Sequence, residues 1–284
     1  MDELQSFLSV REMLAAFLQE DIGAGDITSQ STIPAAALAR AAIVCKSSTP
    51  AVVCGLQEAA TVFDLCGCAS RILAKDGSRV QKGGVVMKVS GNAQGVLKAE
   101  RTALNLIMRM TGIATETRRL VDAAKGIKIL ATRKTGPGHR YFDKKAVVVG
   151  GGGAHRMRLD DMILIKDNHL AIAGPPGESV RAARRGAGSS ATIECEVRNT
   201  REAIDAISAG ADIVMLDNFT PAQARKTIQH LSKVGLRKKA KIEISGGINA
   251  KNIRQYALCK PDFISLGSIT HSPRAVDFSL EITG

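Results

Sequence analysis

The amino-acid sequence predicts an α/β protein in which a small α+β domain precedes a larger unit built on a parallel sheet. A length of 284 residues, of which 45% are hydrophobic, suits one large and one smaller domain with full cores. Strand and helix patterns alternate regularly from about Thr132 onward. Before about residue 95 the pattern differs, with short strands separated by turns such as Asp76-Gly77.

The N-terminal part combines amphipathic segments with short apolar runs. Apolar residues at helical spacing predict helices over Ser9–Glu20 and Leu56–Leu65. Strands are expected at Ala41–Cys45, Ala51–Val53, Arg71–Ala74 and Val85–Val89. A long helix from Leu97 to about Lys125 leads into the second part, and Gly112 is expected to interrupt it.

The second part repeats strands and helices. Its strands are expected at Ile127–Ala131, Ile163–Ile165, Thr192–Val197, Ile213–Leu216, Ile242–Ile244 and Phe263–Leu266, with Ala146–Val149 as a further short one. Helices are expected at Glu178–Arg185, Thr200–Ala209, Pro221–Leu231 and Ala250–Cys259. Repeated β-α units of this kind imply a parallel sheet, either open or closed into a barrel.

Charged residues and glycines lie at the ends of these strands. In chain order they are Arg133 and Lys134, Lys166, Glu194 and Glu196, Asp217, Ser245-Gly246-Gly247, and Gly267-Ser268. The carboxyl ends of the strands of an α/β barrel share one face, on which active sites are built. Order and spacing therefore predict a functional site on that face.

The segment from Ala131 to His169 is rich in cations and holds three of the five histidines of the chain. Arg133 can grip a carboxylate through two hydrogen bonds, whereas Lys134 offers a point charge for phosphate. The alternative for this pair is an ordinary charged loop. The segment as a whole predicts a small, multiply anionic ligand, and Lys144, Lys145 and Arg158 are expected to be surface charge.

Four glycines, Gly150–Gly153, precede His155 and Arg156. Glycines allow the backbone to approach a ligand closely, although a flexible hinge is the alternative. The run lacks the G-K-[ST] ending of a nucleotide-binding P-loop. The neighbouring His155 and Arg156 therefore favour an anion site.

Two carboxylates, Glu196 and Asp217, end consecutive strands. They could bind Mg²⁺, stabilise a developing cation, or pair with the surrounding Arg and Lys side chains. Ser245-Gly246-Gly247 is expected to open a helix near Asn249 and, with Gly267-Ser268, resembles a phosphate cradle. His271 follows closely and is a candidate donor to the same phosphate.

Several classes of protein fit the composition poorly. The six cysteines include no C-x-x-C pair, so free buried thiols are expected rather than a zinc site. The net charge of +12 raises the question of nucleic acid, but aromatics are only 3% and no nucleic-acid-binding motif is present. No apolar run approaches the length of a membrane span. We expect a cytoplasmic protein without a nucleic-acid or membrane partner.

Taken together, the motifs resemble those of the quinolinate phosphoribosyltransferase family along nearly the whole chain. They are Glu20 to Gly23, Gly25 to Thr28, Glu100-Arg101-Thr102, Thr132-Arg133-Lys134-Thr135, Pro137-Gly138, His155-Arg156, Ile165 to His169, Glu194 to Val197, Leu216 to Phe219, Ser245-Gly246-Gly247 and Ser265 to Ser272. The combination of T-R-K-T with I-K-D-N-H is highly specific.

The resemblance implies a fold and a reaction. Quinolinate and phosphoribosyl pyrophosphate would give nicotinate mononucleotide, pyrophosphate and CO₂, with Mg²⁺ required. Residues 1–110 would form a sandwich domain, to which residues 277–284 return, and residues 111–276 an incomplete seven-stranded α/β barrel. A homodimer or higher homo-oligomer is implied, in which Arg101 reaches the neighbouring site.

The resemblance also implies roles for individual residues. Arg133, His155 and Arg156, with Arg101 of the neighbour, would hold the quinolinate carboxylates. Lys134 and Lys166 would face pyrophosphate and ribose, while Glu196 and Asp217 would bind Mg²⁺ and stabilise positive charge on the ribose. The remaining substrate-binding residues would be Thr132, Ser245, Gly246, Gly247, Leu266, Gly267, Ser268 and His271, the glycine loops and His271 on the 5′-phosphate.

Three positions depart from the family pattern, namely Gly136, Ala154 and Arg198. None of the three removes a residue with a proposed charged role. Two alternatives remain open: a molybdenum-transport-associated relative of the same fold, whose members usually lack I-K-D-N-H, and a non-catalytic binding protein for phosphorylated metabolites. The latter would need the phosphate cradle but not both carboxylates.

Overall fold

A computed structural model describes residues 9–188 and 190–283 of the chain. Internal contacts divide it into two compact units. The N-terminal unit comprises the residues up to Arg118, Thr135–Gly151 and the residues from Ile269 on, and the sheet unit comprises Arg119–Lys134 and Gly152–Ser268. Each unit contains more than one separate segment of the chain, so no single residue divides them. The predicted domain boundary at residue 110 stays a prediction.

Strands and helices alternate along the chain. The strands are β1 (Leu38–Cys45), β2 (Ala51–Val52), β3 (Ala69–Ile72), β4 (Arg79–Val80), β5 (Val85–Asn92), β6 (Lys128–Ala131), β7 (Ile163–Ile165), β8 (Ile193–Val197), β9 (Ile213–Asp217), β10 (Lys241–Ser245), β11 (Phe263–Leu266) and β12 (Phe278–Ile282). The helices are α1 (Val10–Ile22), α2 (Ile27–Thr32), α3 (Leu56–Leu65), α4 (Ala93–Ala123), α5 (Arg140–Val149), α6 (Asp167–Ala173), α7 (Pro176–Ala187), α8 (Thr200–Ser208), α9 (Pro221–Lys233), α10 (Ile253–Ala257) and α11 (Ser268–His271).

An antiparallel sheet in the order β12-β1-β5-β3 forms the centre of the N-terminal unit. The C-terminal strand joins it through pairs such as Ala41 with Ile282. At the start of the unit, Ser9 and Glu12 cap α1 reciprocally, which satisfies backbone N–H groups in its first turn. The residues after Asp277 thus return to the N-terminal unit.

Helix α4 runs through Gly112 without interruption, so the predicted break is wrong. A side chain at Gly112 would overlap the backbone carbonyl oxygen of Arg274. This glycine permits two backbone segments of the N-terminal unit to pack closely, which is a different use from ending a helix.

The predicted strand at Ala146–Val149 is also wrong, because these residues end α5. The three valines at 147–149 are β-branched and favour strands, but α5 buries Phe142, Ala146 and Val147, and this packing overrides the local preference. Lys144 is 0% exposed, so it is not the surface charge that the sequence suggested.

Lys145, the next residue of α5, is not surface charge either. Its Nζ lies 2.6 Å from Glu58 Oε1 and 3.6 Å from Asp76 Oδ2. Arg158, in contrast, is 46% exposed beside Asp160, which agrees with the expectation for it. The two lysines of α5 therefore belong to the packing of the N-terminal unit.

The sheet unit contains six parallel strands in the order β6-β11-β10-β9-β8-β7. Gly153 adds a single bridge to Leu130 in β6, with its carbonyl accepting from the Ala131 N–H at 3.0 Å. The predicted α/β class, with an antiparallel sheet followed by a parallel one, is confirmed. The resemblance implied seven strands, whereas the described residues form six strands and this single bridge.

The cysteines agree with the expectation of free thiols, and the lengths and polarity of the helices can be compared with those of a membrane span. All six cysteines are free, and five of them are buried. Burial raises the pKa of the Cys54 and Cys195 thiols, which makes both unreactive. Within residues 9–188 and 190–283, every helix is too short or too polar to cross a bilayer.

Candidate active site

The register of the parallel sheet puts the predicted polar residues on one face. Side chains two residues apart in a strand point the same way, and paired residues of parallel neighbours share a face. Glu196 is paired with Met215, and Met215 with Glu243. Two residues further along β9 and β10, Asp217 is paired with Ser245. The sheet therefore presents these side chains together, with Asp217 and Ser245 at its carboxyl edge.

Lys166 and two carboxylates form the first group at this edge. Lys166 Nζ lies 3.8 Å from Glu196 Oε2. Burial raises the pKa of Glu196, and the nearby charge of Asp217 raises it further, while Lys166 opposes both effects. Burial likewise raises the pKa of Asp217, against a hydrogen bond from Asn218. The pair therefore carries more negative charge than Lys166 balances.

Asn218 links the carboxylates to the glycine turn. It has a φ of 55°, in the left-handed region, and its Nδ2 donates to Asp217 Oδ2 at 2.5 Å. Its backbone N–H donates to the Ser245 carbonyl at 2.9 Å. A Cβ on Gly246 would overlap the Asn218 side chain, so position 246 requires glycine. The sequence motif contained Asn218, but spacing alone gave it no role.

The turn Ser245-Gly246-Gly247 does not lead directly into a helix. Helix α10 begins at Ile253, so the predicted start near Asn249 is wrong. Asn252 Nδ2 instead donates to the Gly247 carbonyl at 3.0 Å and holds the turn. Hydrogen bonds of Asn249 and Asn252 to nearby N–H groups compete with a regular helix start. At the end of the next strand, Leu266 is buried, and α11 starts at Ser268 immediately after Gly267.

Two guanidinium groups form the second group of cations. The Nε of Arg133 is buried and lacks a hydrogen-bond partner in the described part of the chain. Burial lowers the pKa of Arg156, and repulsion from Arg133 lowers it further. Partly desolvated guanidinium groups at close range favour a ligand with negative charge.

Lys134 and Thr132 lie at the end of β6. Lys134 is exposed, and its backbone N–H donates to Thr132 Oγ1 at 3.1 Å. Its charge lowers the pKa of Asp217, although burial remains the larger effect on that carboxyl. Lys134 and Lys166 therefore both act on the electrostatics of the carboxylate pair.

A third group lies deeper on the same face, and of its members the sequence analysis named His155 and Glu194 but missed Glu243. Glu194 and Glu243 are 0% exposed. His155 Nε2 lies 3.1 Å from Glu194 Oε2 and 3.6 Å from Glu243 Oε2. Burial opposes charge on the ring, but hydrogen bonding to both carboxylates outweighs it and raises the pKa of His155. The i, i+2 spacing of Glu194 with Glu196 was the available signal, since it puts both on one face.

Two predicted site residues belong to the N-terminal unit. Arg101 is exposed on α4. His271 is exposed at the end of α11, with its Nδ1 2.6 Å from Ser272 Oγ. Their roles in substrate binding stay predictions.

Two family models match nearly the whole chain. The N-terminal domain of quinolinate phosphoribosyl transferase matches residues 26–111, and its C-terminal domain matches residues 113–281. A probable carboxylating nicotinate-nucleotide pyrophosphorylase of Methanothermobacter thermautotrophicus is 42% identical over 279 residues, 97% of this chain and 98% of that protein. A probable enzyme of the same name from Bacillus subtilis is 39% identical over 281 residues, 97% and 94% of the two chains.

A solved structure gives the same result in three dimensions. The nicotinate-nucleotide pyrophosphorylase of Francisella tularensis superposes with a TM-score of 0.90, covers 100% of both chains and is 35% identical. The similarity therefore extends over both units and is not confined to the parallel sheet.

Proposed function

The chain belongs to the quinolinate phosphoribosyltransferase family, and we propose that it makes nicotinate mononucleotide for NAD biosynthesis. Its substrates are quinolinate and phosphoribosyl pyrophosphate, and its other products are pyrophosphate and CO₂. The observation that carries the assignment of the site is the sheet register, which puts Glu196 and Asp217 on one face, with Lys166 Nζ 3.8 Å from Glu196 Oε2.

Arg133 and Arg156 receive the two carboxylates of quinolinate in this proposal. The unpartnered Arg133 Nε supports the role, because a buried donor without an acceptor is costly until an anion arrives. A guanidinium fork also fits a planar carboxylate better than an ammonium group does. His155 belongs to the same pocket, and Arg101 of a neighbouring subunit completes it in a homodimer.

Lys134 and Lys166 face the pyrophosphate and ribose. As the bond from the anomeric carbon to pyrophosphate breaks, its electron pair leaves with the phosphate oxygen, and positive charge develops on the ribose. Glu196 and Asp217 stabilise that charge from fixed positions. The pyridine nitrogen of quinolinate then forms the new bond to the anomeric carbon.

Decarboxylation follows from the charge on the ring. The bond between C2 and its carboxylate breaks, CO₂ leaves, and the electron pair stays on C2, where the adjacent positively charged nitrogen stabilises it. A proton then takes the vacated position. Arg133 and Arg156 hold the dicarboxylate in register for both steps, and no covalent nucleophile is required.

Glu196 and Asp217 fit a divalent cation. Lys166 Nζ lies 3.8 Å from Glu196 Oε2, so one ammonium group faces two carboxylates, and oxygen ligands suit Mg²⁺. Mg²⁺ bound there would neutralise the leaving pyrophosphate. The half-buried His155 and the buried Glu194 and Glu243 also lie close together, but Arg156 already provides positive charge at that place.

The 5′-phosphate binds to backbone N–H groups and small side chains at the ends of β10 and β11. Positive φ values at Gly246 and Gly247 expose the backbone of the first turn. The proposed phosphate-binding residues are Ser245, Gly246, Gly247, Leu266, Gly267, Ser268 and His271. Thr132 supports the loop that carries Lys134. We place the enzyme in the cytoplasm.

The proposal is tested by identifying the product. Purified protein with quinolinate, phosphoribosyl pyrophosphate and Mg²⁺ should form nicotinate mononucleotide, detected by mass spectrometry. An Asp217→Asn variant should bind quinolinate as the wild type does but form product at a rate lower by roughly a hundredfold. A wild-type protein that binds quinolinate without forming product would support the non-catalytic alternative.

A further inference from the structure

Asn218 adopts a backbone conformation that few residues with a side chain tolerate. Its φ is 55°, in the left-handed region, where the Cβ of an L residue crowds the backbone. The residues on both sides are fixed, because Asp217 ends β9 and the carbonyl of the buried Phe219 accepts a hydrogen bond from Tyr256 Oη at 3.0 Å. Asparagine tolerates this conformation, but glycine tolerates it better. The backbone alone therefore does not explain why the residue is asparagine.

The side chain of Asn218 contacts two separate parts of the catalytic face. Its Nδ2 donates a hydrogen bond to Asp217 Oδ2 at 2.5 Å. Its Oδ1 and Cγ lie against Gly246, where an added Cβ would overlap Oδ1 and lie 2.7 Å from Cγ. The backbone N–H of Asn218 also donates to the Ser245 carbonyl at 2.9 Å. One residue thus contacts both the carboxylate that ends β9 and the turn that follows β10.

The turn Ser245-Gly246-Gly247 is held at both of its ends. Asn218 binds the carbonyl of its first residue, and Asn252 Nδ2 donates to the Gly247 carbonyl at 3.0 Å. Gly246 and Gly247 have φ values of 90° and 64°, which glycine adopts without strain. The backbone of the turn is therefore fixed in position beside the Asn218 side chain.

The hydrogen bond from Asn218 occupies one oxygen of Asp217. Within the described residues, no hydrogen bond from protein reaches the other oxygen, Oδ1. A carboxylate held through Oδ2 cannot rotate without losing that bond, so Oδ1 keeps one direction. Groups that act on a substrate need such supporting contacts to hold their orientation. Asn218 therefore orients Asp217 from the side of the glycine turn.

We propose that Asn218 is a positioning residue, which ties the Asp217 carboxylate to the Ser245-Gly246-Gly247 turn so that the ribose and the 5′-phosphate are held in register. Binding energy from a remote part of a substrate raises the rate only when the reacting end is oriented at the same time. Asn218 supplies that connection without touching the substrate. This inference rests on the proposed function, because it takes the turn as the phosphate site and Asp217 as the group beside the ribose.

Asn218→Gly isolates the side chain, because glycine keeps the left-handed backbone. We expect kcat to fall and the KM for phosphoribosyl pyrophosphate to rise, each on the order of tenfold, while the KM for quinolinate changes less than about threefold. Asn218→Asp keeps the shape but sets a second carboxylate against Asp217, and should lose more activity than the glycine variant. If the asparagine serves the backbone alone, Asn218→Gly leaves all three constants unchanged and the proposal fails.

A double-mutant cycle tests whether Asn218 acts through Asp217. In an Asp217→Asn background, Asn218→Gly should lower kcat no further, since residues that act through one another are not additive. Losses that multiply would show that Asn218 acts independently of the carboxylate, and would overturn the proposal. Should the glycine variant not fold, as judged by circular dichroism, Asn218→Asp carries the same cycle.

Ligand binding tests the role without turnover. Calorimetric titration with nicotinate mononucleotide, which carries the ribose 5′-phosphate, should give an affinity on the order of tenfold lower for Asn218→Gly than for wild type. Quinolinate, which lacks ribose and phosphate, should bind both proteins equally. Equal nucleotide affinities would refute the positioning role, and so would an equal loss for both ligands, which indicates a general defect of the site.

Lys260→Gly is the matched control. Lys260 also has a positive φ, 59°, but it precedes β11 and so lies at the amino end of the parallel strands, opposite Asp217. Its kinetics should equal those of the wild type. Wild-type protein without binding or turnover would refute the proposed function itself, whereas an active wild type with an unaffected Asn218→Gly variant would refute only the role of Asn218.

Discussion

Lys166 Nζ lies 3.8 Å from Glu196 Oε2 at the carboxyl ends of two adjacent parallel strands. The lysine follows β7 and the glutamate lies near the end of β8, so neither side chain needs a long loop to meet the other. Side chains that project from strands are held more rigidly than side chains on loops. The distance is long for a strong ion pair, which leaves both groups available for ligands of opposite charge.

The carboxylates next to this lysine predict a pH dependence for Mg²⁺. Burial raises the pKa of Glu196 and of Asp217, and a carboxyl must lose its proton before it binds a metal ion. As pH falls, apparent Mg²⁺ affinity should therefore decline at a pH above the ordinary carboxyl value of about 4. Mg²⁺ titrations of activity at a series of pH values measure this, and a constant affinity down to that value would contradict it.

Arg133 is predicted to be essential for turnover but not for folding. Its Nε is unpartnered in the described part of the chain, so Arg133→Ala removes no internal hydrogen bond of that atom. We expect product formation to become undetectable while the melting temperature stays within a few degrees of wild type, as for most substitutions outside cores. Steady-state kinetics and circular dichroism melts check both, and an active variant would refute the assigned role.

Arg101 is predicted to act across the subunit interface. Arg101→Ala and Arg133→Ala should each be inactive, but mixed dimers would contain one site with both arginines intact. After the two variants are unfolded and refolded together, about a quarter of wild-type activity should return, given a symmetric dimer and equal amounts. No recovery, although mixed dimers are detected by mass spectrometry, would place Arg101 in its own subunit's site or outside the site.

A buried ion pair in the N-terminal unit gives a stability prediction. Arg109 binds Asp143 through two hydrogen bonds of 2.7 and 2.9 Å, and Asp143 is 0% exposed. Arg109→Ala leaves that carboxylate buried and unpaired, which should lower the free energy of unfolding by about 3 kcal/mol. Arg11→Ala, in an exposed pair with Asp64, should cost less than about 1 kcal/mol. Chemical denaturation measures both, and equal effects would contradict the prediction.

Periodicity and turn residues predicted the second half of the fold well. Six predicted strands correspond to β6 to β11, and charged residues at their ends lie on one face because parallel strands share a direction. The strand predicted at Ala146–Val149 was wrong because a short run of valines fits either a strand or a buried helix face. Only tertiary packing decides between strand and helix there. The helix break predicted at Gly112 was wrong because the reason for a glycine there is the close contact with Arg274, which is distant in sequence.

The candidate site was predicted only in part for a similar reason. Residues at strand ends, such as Lys166 and Asp217, are recognisable from order alone. Glu243 lies in the middle of β10, and the sequence alone does not show which residue lies next to its carboxylate in the folded protein. Its neighbours, Glu194 and His155, come from other elements, so the cluster exists only after the sheet is assembled.

The central claim is that the residues on this face carry out both transfer and decarboxylation. The most direct measurement follows quinolinate labelled in its 2-carboxylate and quantifies released CO₂ and pyrophosphate in the same sample. We predict equal amounts of the two products, both dependent on phosphoribosyl pyrophosphate and Mg²⁺. Absence of CO₂ from folded protein that binds both substrates would contradict the account.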